Sequence, residues 1–271
     1  MSNPDLPAEL LDHTVDLLRN ERDALESCCL VSKSWIPRTR KYLFAVVKLQ
    51  TPAMLQAWKS TFTNPSTSPA CYTKSLSIRY HQRDTPQDAE EGGWIPTFSR
   101  VERLEVVINN PMASLIPFHG FSPAIKYLHI DCTCYPSSSI PDLIYSFPLL
   151  EDFSVIAFLG NRRQDNFNDK LAATQPSSSP AFTGTLGVFV WEGMHRIASA
   201  LLSSPNGLHF RKLDLVLRSK QDVLATIALV DECSSTLESL KINYDIPGMP
   251  TPCPRSCQWL SYVHRSTSRF N

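Results

Sequence analysis

Eight cysteines and seven histidines are the side chains of this chain best suited to holding a metal or serving as a nucleophile. The close cysteine pairs are Cys28-Cys29, Cys132-x-Cys134 and Cys253-x3-Cys257. None is a CxxC and no HxxxH accompanies them, so they read as reduced thiols rather than zinc ligands. His13, His81, His119, His129, His195, His209 and His264 are scattered, and no two have the helical spacing of metal ligands. His129 and His209 fall in strand-like segments and read as ordinary packing or surface residues. Gly-x-Ser-x-Gly, a phosphate-binding loop and a dinucleotide fingerprint are all missing, and nine glycines leave little material for one. The expectation is therefore no cofactor and no catalytic site built from a local motif. Asp84, Asp88, Glu90 and Glu91, before Gly92-Gly93, read as a solvated loop, or more sharply as a docking segment. Lys33, Arg38, Arg40 and Lys41 form the densest basic cluster, but Glu21, Asp23 and Glu26 lie nearby, which favours a solvated helix face. Trp191-Glu192-Gly193 reads as a turn whose aromatic is either core or a contact point.

The composition narrows the class. With 42% hydrophobic and 19% charged residues in 271, the chain is globular rather than disordered. Lysine plus arginine, 26, balances aspartate plus glutamate, 26, so no charge excess favours nucleic acid or a membrane surface. No apolar run approaches the ~18 residues of a bilayer span. The first ten residues carry acids and no base, unlike a secretory signal. The expected location is the cytoplasm, the nucleus or both, where thiols stay reduced. The 21 prolines punctuate many short segments.

The first fifty residues predict three short helices. Residues 8–19 place Leu11, Val15 and Leu18 at i, i+4 and i+7, with Leu10 and Leu17 widening the stripe. Asn20-Glu21-Arg22-Asp23 breaks the pattern, and Asp23 is placed to cap a second helix. Leu25, Cys28, Val31 and Trp35 would then share a face. Ile36-Pro37 starts a third helix ending at Leu43-Phe44, and Val46, Val47 and Leu49 suggest a brief extended stretch. So small a unit has a marginal core, yet it carries more apolar side chains than it can hide. That excess marks a binding surface.

The segment resembles an F-box. Leu6-Pro7-Ala8-Glu9-Leu10-Leu11, then Cys29-Leu30-Val31-Ser32-Lys33-Ser34-Trp35, then Arg40 and Leu43-Phe44 follow the family's LPxEL, C-x-V-S-K-x-W and R-x-x-LF in order. Thr14-Val15 departs from the pattern where isoleucine is frequent. The resemblance implies a trihelical fold docking on the adaptor of a cullin-based SCF ubiquitin ligase. It assigns Leu6, Pro7, Leu10, Leu11, Val15, Val31 and Trp35 to adaptor-facing or core-forming positions, without dividing the two roles. The plainer alternative is a helical subdomain packed on the rest of the chain.

Beyond it, a pattern apolar-x-x-apolar-x-apolar recurs at Val101-Leu104-Val106, Ile125-Leu128-Ile130, Leu150-Phe153-Val155, Phe210-Leu213-Leu215 and Leu237-Leu240-Ile242. Weaker copies are Thr73-Leu76-Ile78 and Thr183-Leu186-Val188. The middle residues step by 28, 24, 25, 33, 27 and 27. That period resembles leucine-rich repeats, one strand to a unit. The longest step spans residues 161–180 and reads as a loop insertion. Between strands, Ile197 and Leu201, and then Val223, Ile227 and Val230, mark helical faces. The usual asparagine position is lost from most copies, so the likeness is to the irregular repeats of fungal F-box proteins. An unrelated α/β domain is the alternative.

The expected architecture is thus α/β: a trihelical F-box at residues 1–49, and a leucine-rich-repeat-like solenoid with a parallel sheet at residues 50–247. Residues 248–271 form an irregular tail, which reads as disordered or as the point where the array would continue. Leu104, Leu128, Leu213 and Leu240 are expected in the core. Alternation sends Ser77 and Arg79, Glu105 and Val107, His129 and Asp131, Ser154 and Ile156, Gly187 and Phe189, Asp214 and Val216, and Lys241 and Asn243 to the other face. From these, Arg79, Glu105, Asp131, Ile156, Phe189, Val216 and Lys241 are the candidate contacts to a target protein. The resemblance implies a substrate-recruiting, non-enzymatic subunit linked through its adaptor to cullin, with neither nucleic acid nor membrane as partner. Two rivals are a scaffold that binds the adaptor without ubiquitylation and an enzyme whose site assembles from distant residues.

Overall fold

The computed structural model describes residues 7–80, 92–108, 121–132, 139–157, 180, 182–190 and 193–244. Leu6, the acidic stretch at 84–91, most of the 161–180 insertion, Trp191-Glu192 and the tail from 248 lie outside the described residues.

The chain begins with helices α1 (Ala8–Leu17), α2 (Arg22–Val31) and α3 (Ile36–Leu43). The Pro7 carbonyl starts α1, accepting from the N–H groups of Leu10 and Leu11. The helix turns Leu11 and Val15 inward. α3 carries Pro37 in its first turn, where no N–H is needed. It is tied to α1 by an Arg38–Asp12 ion pair and by the Tyr42 hydroxyl donating to Asp16. Thr39 of α3, fully buried, donates to the Trp35 carbonyl at 2.9 Å and meets Cys29 Sγ on α2 at 2.9 Å. Two expectations fail here. Asp23 does not cap α2: the cap residue is Glu21, without a side-chain bond, and Asp23 sits in the first turn, where its charge suits the helix N-terminus. Nor do Leu25, Cys28, Val31 and Trp35 share one buried face. α2 ends at Val31 and the chain turns through a 3-10 segment at Lys33–Trp35. Leu25 and Cys28 are buried, Trp35 is half-buried and Val31 faces solvent.

The remainder is organised by eight parallel strands in chain order: β1 (Val46–Leu49), β2 (Ser75–Tyr80), β3 (Arg103–Ile108), β4 (Tyr127–Cys132), β5 (Asp152–Ala157), β6 (Thr185–Val190), β7 (Lys212–Leu217) and β8 (Ser239–Tyr244). The recurring sequence pattern is in register throughout. Leu76, Leu104, Leu128, Phe153, Leu186, Leu213 and Leu240 stand side by side. Ile78, Val106, Ile130, Val155, Val188, Leu215 and Ile242 form the next row. Sequential parallel strands need a crossover behind the sheet. Helices α4 (Pro52–Thr61), α5 (Ser139–Tyr145), α6 (Met194–Leu202) and α7 (Lys220–Glu232) lie on four of these crossovers. Each strand after β1 is also entered through the same bond. Carbonyls of Ala45, Lys74, Glu102, Lys126, Glu151, Gly184 and Arg211 accept from the N–H groups that open the following strand.

Ile197 and Leu201 of α6 are buried as their spacing predicts. On α7 the prediction is off by one position. The buried residues are Asp222, Thr226 and Leu229, whereas Ile227 is exposed and Val223 and Val230 are half-buried. Asp222 sets this rotation. Its buried carboxylate accepts from the N–H groups of Ser219 (3.0 Å), Arg218 (3.2 Å) and His195 (3.2 Å), while Ser219 Oγ accepts from the Asp222 N–H. That capping box pins the start of α7 against the start of α6. Leu240 is the other departure: Leu104, Leu128 and Leu213 are buried, but Leu240 is only half-buried because β8 is the last of the described strands.

Candidate functional site

Two surfaces collect the residues that the sequence singles out. The first is the sheet face turned away from the core. Pairing places Arg79, Val107, Asp131, Ile156 and Phe189 in one row. Beyond them Val216 stands opposite Asn243. A second row runs Lys48, Ser77, Glu105, His129, Ser154, Gly187, Asp214 and Lys241. The seven candidate target contacts therefore share one face but divide between two rows, with Glu105 and Lys241 in the second. Arg79, Glu105 and Lys241 are exposed; Asp131, Ile156, Phe189 and Val216 are half-buried. Not every residue on this face meets solvent: Ser77, Val107 and Gly187 are buried.

Local chemistry explains some of that pattern. Gln50 donates to Ser77 Oγ at 2.9 Å. A Cβ at Gly187 would lie 3.1 Å from Ser154 Oγ and 3.3 Å from Phe189 Cε2. The missing side chain thus lets the Phe189 ring lie back along its own strand, beside Ile156 on β5. Lys241 is not free, because it reaches Asp214 at 3.0 Å. Arg103 stacks over the Tyr127 ring at 4.5 Å. The face thus carries Lys48, Arg79 and Arg103 beside Glu105 at β1–β3, Asp131 at β4, and the apolar Ile156, Phe189 and Val216 beyond.

The second surface is on the N-terminal helices. Leu10, Leu17, Leu30 and Val31 expose 53%, 71%, 89% and 71% of their area. Of the residues that the resemblance points to, Leu11 and Val15 are core, Trp35 is half-buried, and Pro7, Leu10 and Val31 are exposed. Leu6 lies outside the described residues. The division between core and surface that spacing leaves open is thereby made for six of the seven. Leu30 adds an apolar side chain that the sequence reading passes over. Its signal is Leu30-Val31 at the end of a ten-residue helix, where adjacent residues cannot both face inward.

A third feature escapes a search keyed on apolar residues. Two positions before the middle residue of each repeat stand Lys74, Glu102, Lys126, Glu151, Gly184, Arg211 and Glu238. Their signs alternate, and neighbours pair across strands: Lys74–Glu102 at 3.7 Å, Lys126–Glu151 at 3.3 Å and Arg211–Glu238 at 3.7 Å. Gly184 interrupts the ladder, and a Cβ there would lie 2.5 Å from Asp152 Oδ1, so a larger residue would require the Asp152 carboxylate to shift.

The thiols that titrate unusually do so in the unreactive direction. Burial pushes Cys233 up, and burial together with neighbouring Cys29 pushes Cys28 up. Among the described residues no three His, Cys, Asp or Glu side chains are grouped to hold a metal ion. No described helix is long and apolar enough to cross a membrane. No protein-family model matches the chain, and no curated protein or solved structure shows significant similarity to it.

Proposed function

We propose that this chain is a substrate-recruiting subunit of an SCF-type cullin ubiquitin ligase. Its three N-terminal helices are an F-box docking on the adaptor, and its sheet is an irregular leucine-rich-repeat-like solenoid holding a target protein. The observation that carries the reading is the pairing of an F-box-like motif with solvent-exposed Leu10, Leu30 and Val31 on those helices. A helical unit that served only to cover the sheet would have no use for these three exposed apolar side chains together with exposed Leu17. The target is read to contact the outward face, with Ile156, Phe189 and Val216 as an apolar centre and Arg79, Glu105, Asp131 and Lys241 around it. A protein partner suits such a mixture of apolar and two-signed charged groups. The work is done by tethering: target and ubiquitin-charged enzyme are held at high effective concentration while catalysis belongs to other subunits. The site of action is the cytoplasm or nucleus.

Two paired variants test the halves separately in a pull-down that follows adaptor and target together. Leu10→Asp with Val31→Asp should abolish adaptor capture, since each places an unpaired charge in a contact that excludes water. Both residues are exposed, so folding is spared. Adaptor recovery at the wild-type level would reject the F-box assignment. Ile156→Ser with Phe189→Ser should lower target recovery and leave adaptor recovery unchanged. Unchanged target recovery would move that site elsewhere.

A further inference from the structure

The last strand presents an unusual edge. Among the described residues β8 pairs on one side only, with β7. The Ser239 N–H donates to the Arg211 carbonyl at 3.0 Å. Residues of a parallel strand alternate in the neighbour they address, so Lys241 and Asn243 also turn to β7. The backbone groups of Leu240, Ile242 and Tyr244 therefore point away from the sheet. The side chains of the same three residues lie on the core side. There Leu240 and Ile242 are half-buried and Tyr244 is 55% exposed, whereas Leu213, Leu215 and Leu217, their partners on β7, are sealed. Helix α7 repeats the theme. Beside its buried face runs a second stripe, Val223, Ile227 and Val230, at i, i+4 and i+7, with Ile227 60% exposed and Leu224 next to it 68% exposed. Strand and helix thus end in an apolar layer that no described residue covers.

Natural edges are usually guarded by shortness, by a free charge or by a covering element. β8 has none of these among the described residues: it is six residues long, and its single charge, Lys241, is engaged by Asp214. We propose that this end is an interface between two copies of the chain, made by antiparallel pairing of β8 with β8 of the second copy about a two-fold axis at Ile242. The sequence of the strand favours that register over its neighbours. Directly opposed residues of an antiparallel pair share a face. Centring on Lys241 would set two lysines against each other, and centring on Asn243 would leave Leu240 without a partner within the strand. Centring on Ile242 opposes Leu240 to Tyr244, Ile242 to Ile242 and Lys241 to Asn243. All three edge-facing residues then become hydrogen-bonded pairs, and apolar meets apolar on the core side. The two-fold also brings both α7 helices to the same side of the joined sheet, where their open stripes can meet. Such an interface is closed and isologous, so it yields a dimer and no fibre.

The test is the mass of the full chain by light scattering over a concentration series, with three variants. Wild type should run as two chains. Tyr244→Pro removes one N–H that β7 does not use, so it should fold with an unchanged circular dichroism spectrum and run as one chain. Ile227→Asp, at an exposed position, should weaken the dimer roughly tenfold or more by placing a charge in the apolar contact. Val46→Asp, on the opposite edge of the sheet, should leave the dimer intact. A single-chain mass at every concentration overturns the proposal, as does a dimer that survives Tyr244→Pro or Ile227→Asp. So does a monomeric full chain that dimerises only when residues 245–271 are deleted, which would place those residues over β8.

Discussion

The two ends of the sheet are built to different standards. At the β1 end the strand is four residues long, its Lys48 is exposed, and its core side is sealed: Val47 and Leu49 are both buried. The seal is aromatic. Trp58 on α4 stacks on Phe98 at 5.5 Å and contacts Phe44 and Phe62 at 6.1 and 4.7 Å. Trp94 and Phe121 extend the cluster from Phe98 at 5.8 and 6.4 Å. The β8 end has no counterpart among the described residues, and Tyr244, its last core-side residue, is more than half exposed. In a stack of units each layer is completed only by the next, so stability depends on whether a terminal layer is given a lid. α4 and the aromatic residues around it supply one lid; the other end offers an apolar layer to whatever meets it.

The largest effect is expected where the lid is densest. Phe98→Ala should cost about 3–5 kcal/mol in urea unfolding, since it empties the centre of the cluster over β1 and β2. Tyr244→Ala at the opposite end should cost under about 0.5 kcal/mol at concentrations where the chain is monomeric. A comparable loss from both would mean that the β8 end is covered in solution, and the asymmetry would be false. Within the leucine row the same contrast is milder. Leu104→Ala and Leu213→Ala should each lose roughly 2–5 kcal/mol, and Leu240→Ala less, because that side chain is only partly buried in the folded state. Hydrogen exchange sharpens the point residue by residue. In the monomer the amides of Leu240, Ile242 and Tyr244 should exchange far faster than those of Lys241 and Asn243, which are paired to β7. Uniform protection along β8 would show that its edge is occupied.

The strands were legible because their signal is doubly constrained. A pattern of period two must match the pleat, and the spacing between copies must match a one-strand unit, so Leu76 through Leu240 could be aligned from the sequence alone. Helix faces carry a single constraint and fail where a layer is incomplete. On α7 the apolar stripe Val223, Ile227 and Val230 reads as core, yet the buried side contains Asp222 and Thr226. A capping carboxylate that binds three N–H groups outweighs a hydrophobic stripe that reaches the core only through the edges of Val223 and Val230. Asp222 was invisible as a core residue because burial of an acid depends on donors 3 to 27 positions away, including the Ser219 and His195 N–H groups. Helix α4 carries its own signal, Thr51-Pro52 followed by Leu55, Trp58 and Phe62, which a search for strands passes over. At the N-terminal surface, spacing alone could not separate Leu10 from Leu11: both belong to one broad stripe, and only the position of α3, fixed by Asp12 and Asp16, decides which is covered.

The smallest predicted effect concerns the charge ladder that runs between the two ends. Lys126 stands between Glu102 and Glu151 in adjacent units, 3.3 Å from the latter, with both side chains partly exposed. Lys126→Glu would place three glutamates in successive units. Exposed pairs of this kind contribute only about 0.2–1 kcal/mol each, so the loss should stay near 1 kcal/mol in low salt and shrink as ionic strength rises and screening shortens the reach of the charges. The double variant Lys126→Glu with Glu151→Lys restores opposite signs between those two positions. It still leaves a carboxylate facing Glu102 and a positive charge one unit from Gly184, where no charge can answer it. It should therefore recover part of the loss rather than all of it. Thermal unfolding of the two variants across a salt series measures this. A loss of several kcal/mol that salt does not reduce would show that Lys126 is held by packing of its stem rather than by charge, and the ladder would then be a consequence of the repeat instead of a contributor to it. A loss confined to low salt would make the alternation a register mark. It would favour each unit stacking on its neighbour over skipping one, and it would be strongest at β3–β5, between the sealed end and the interruption at Gly184.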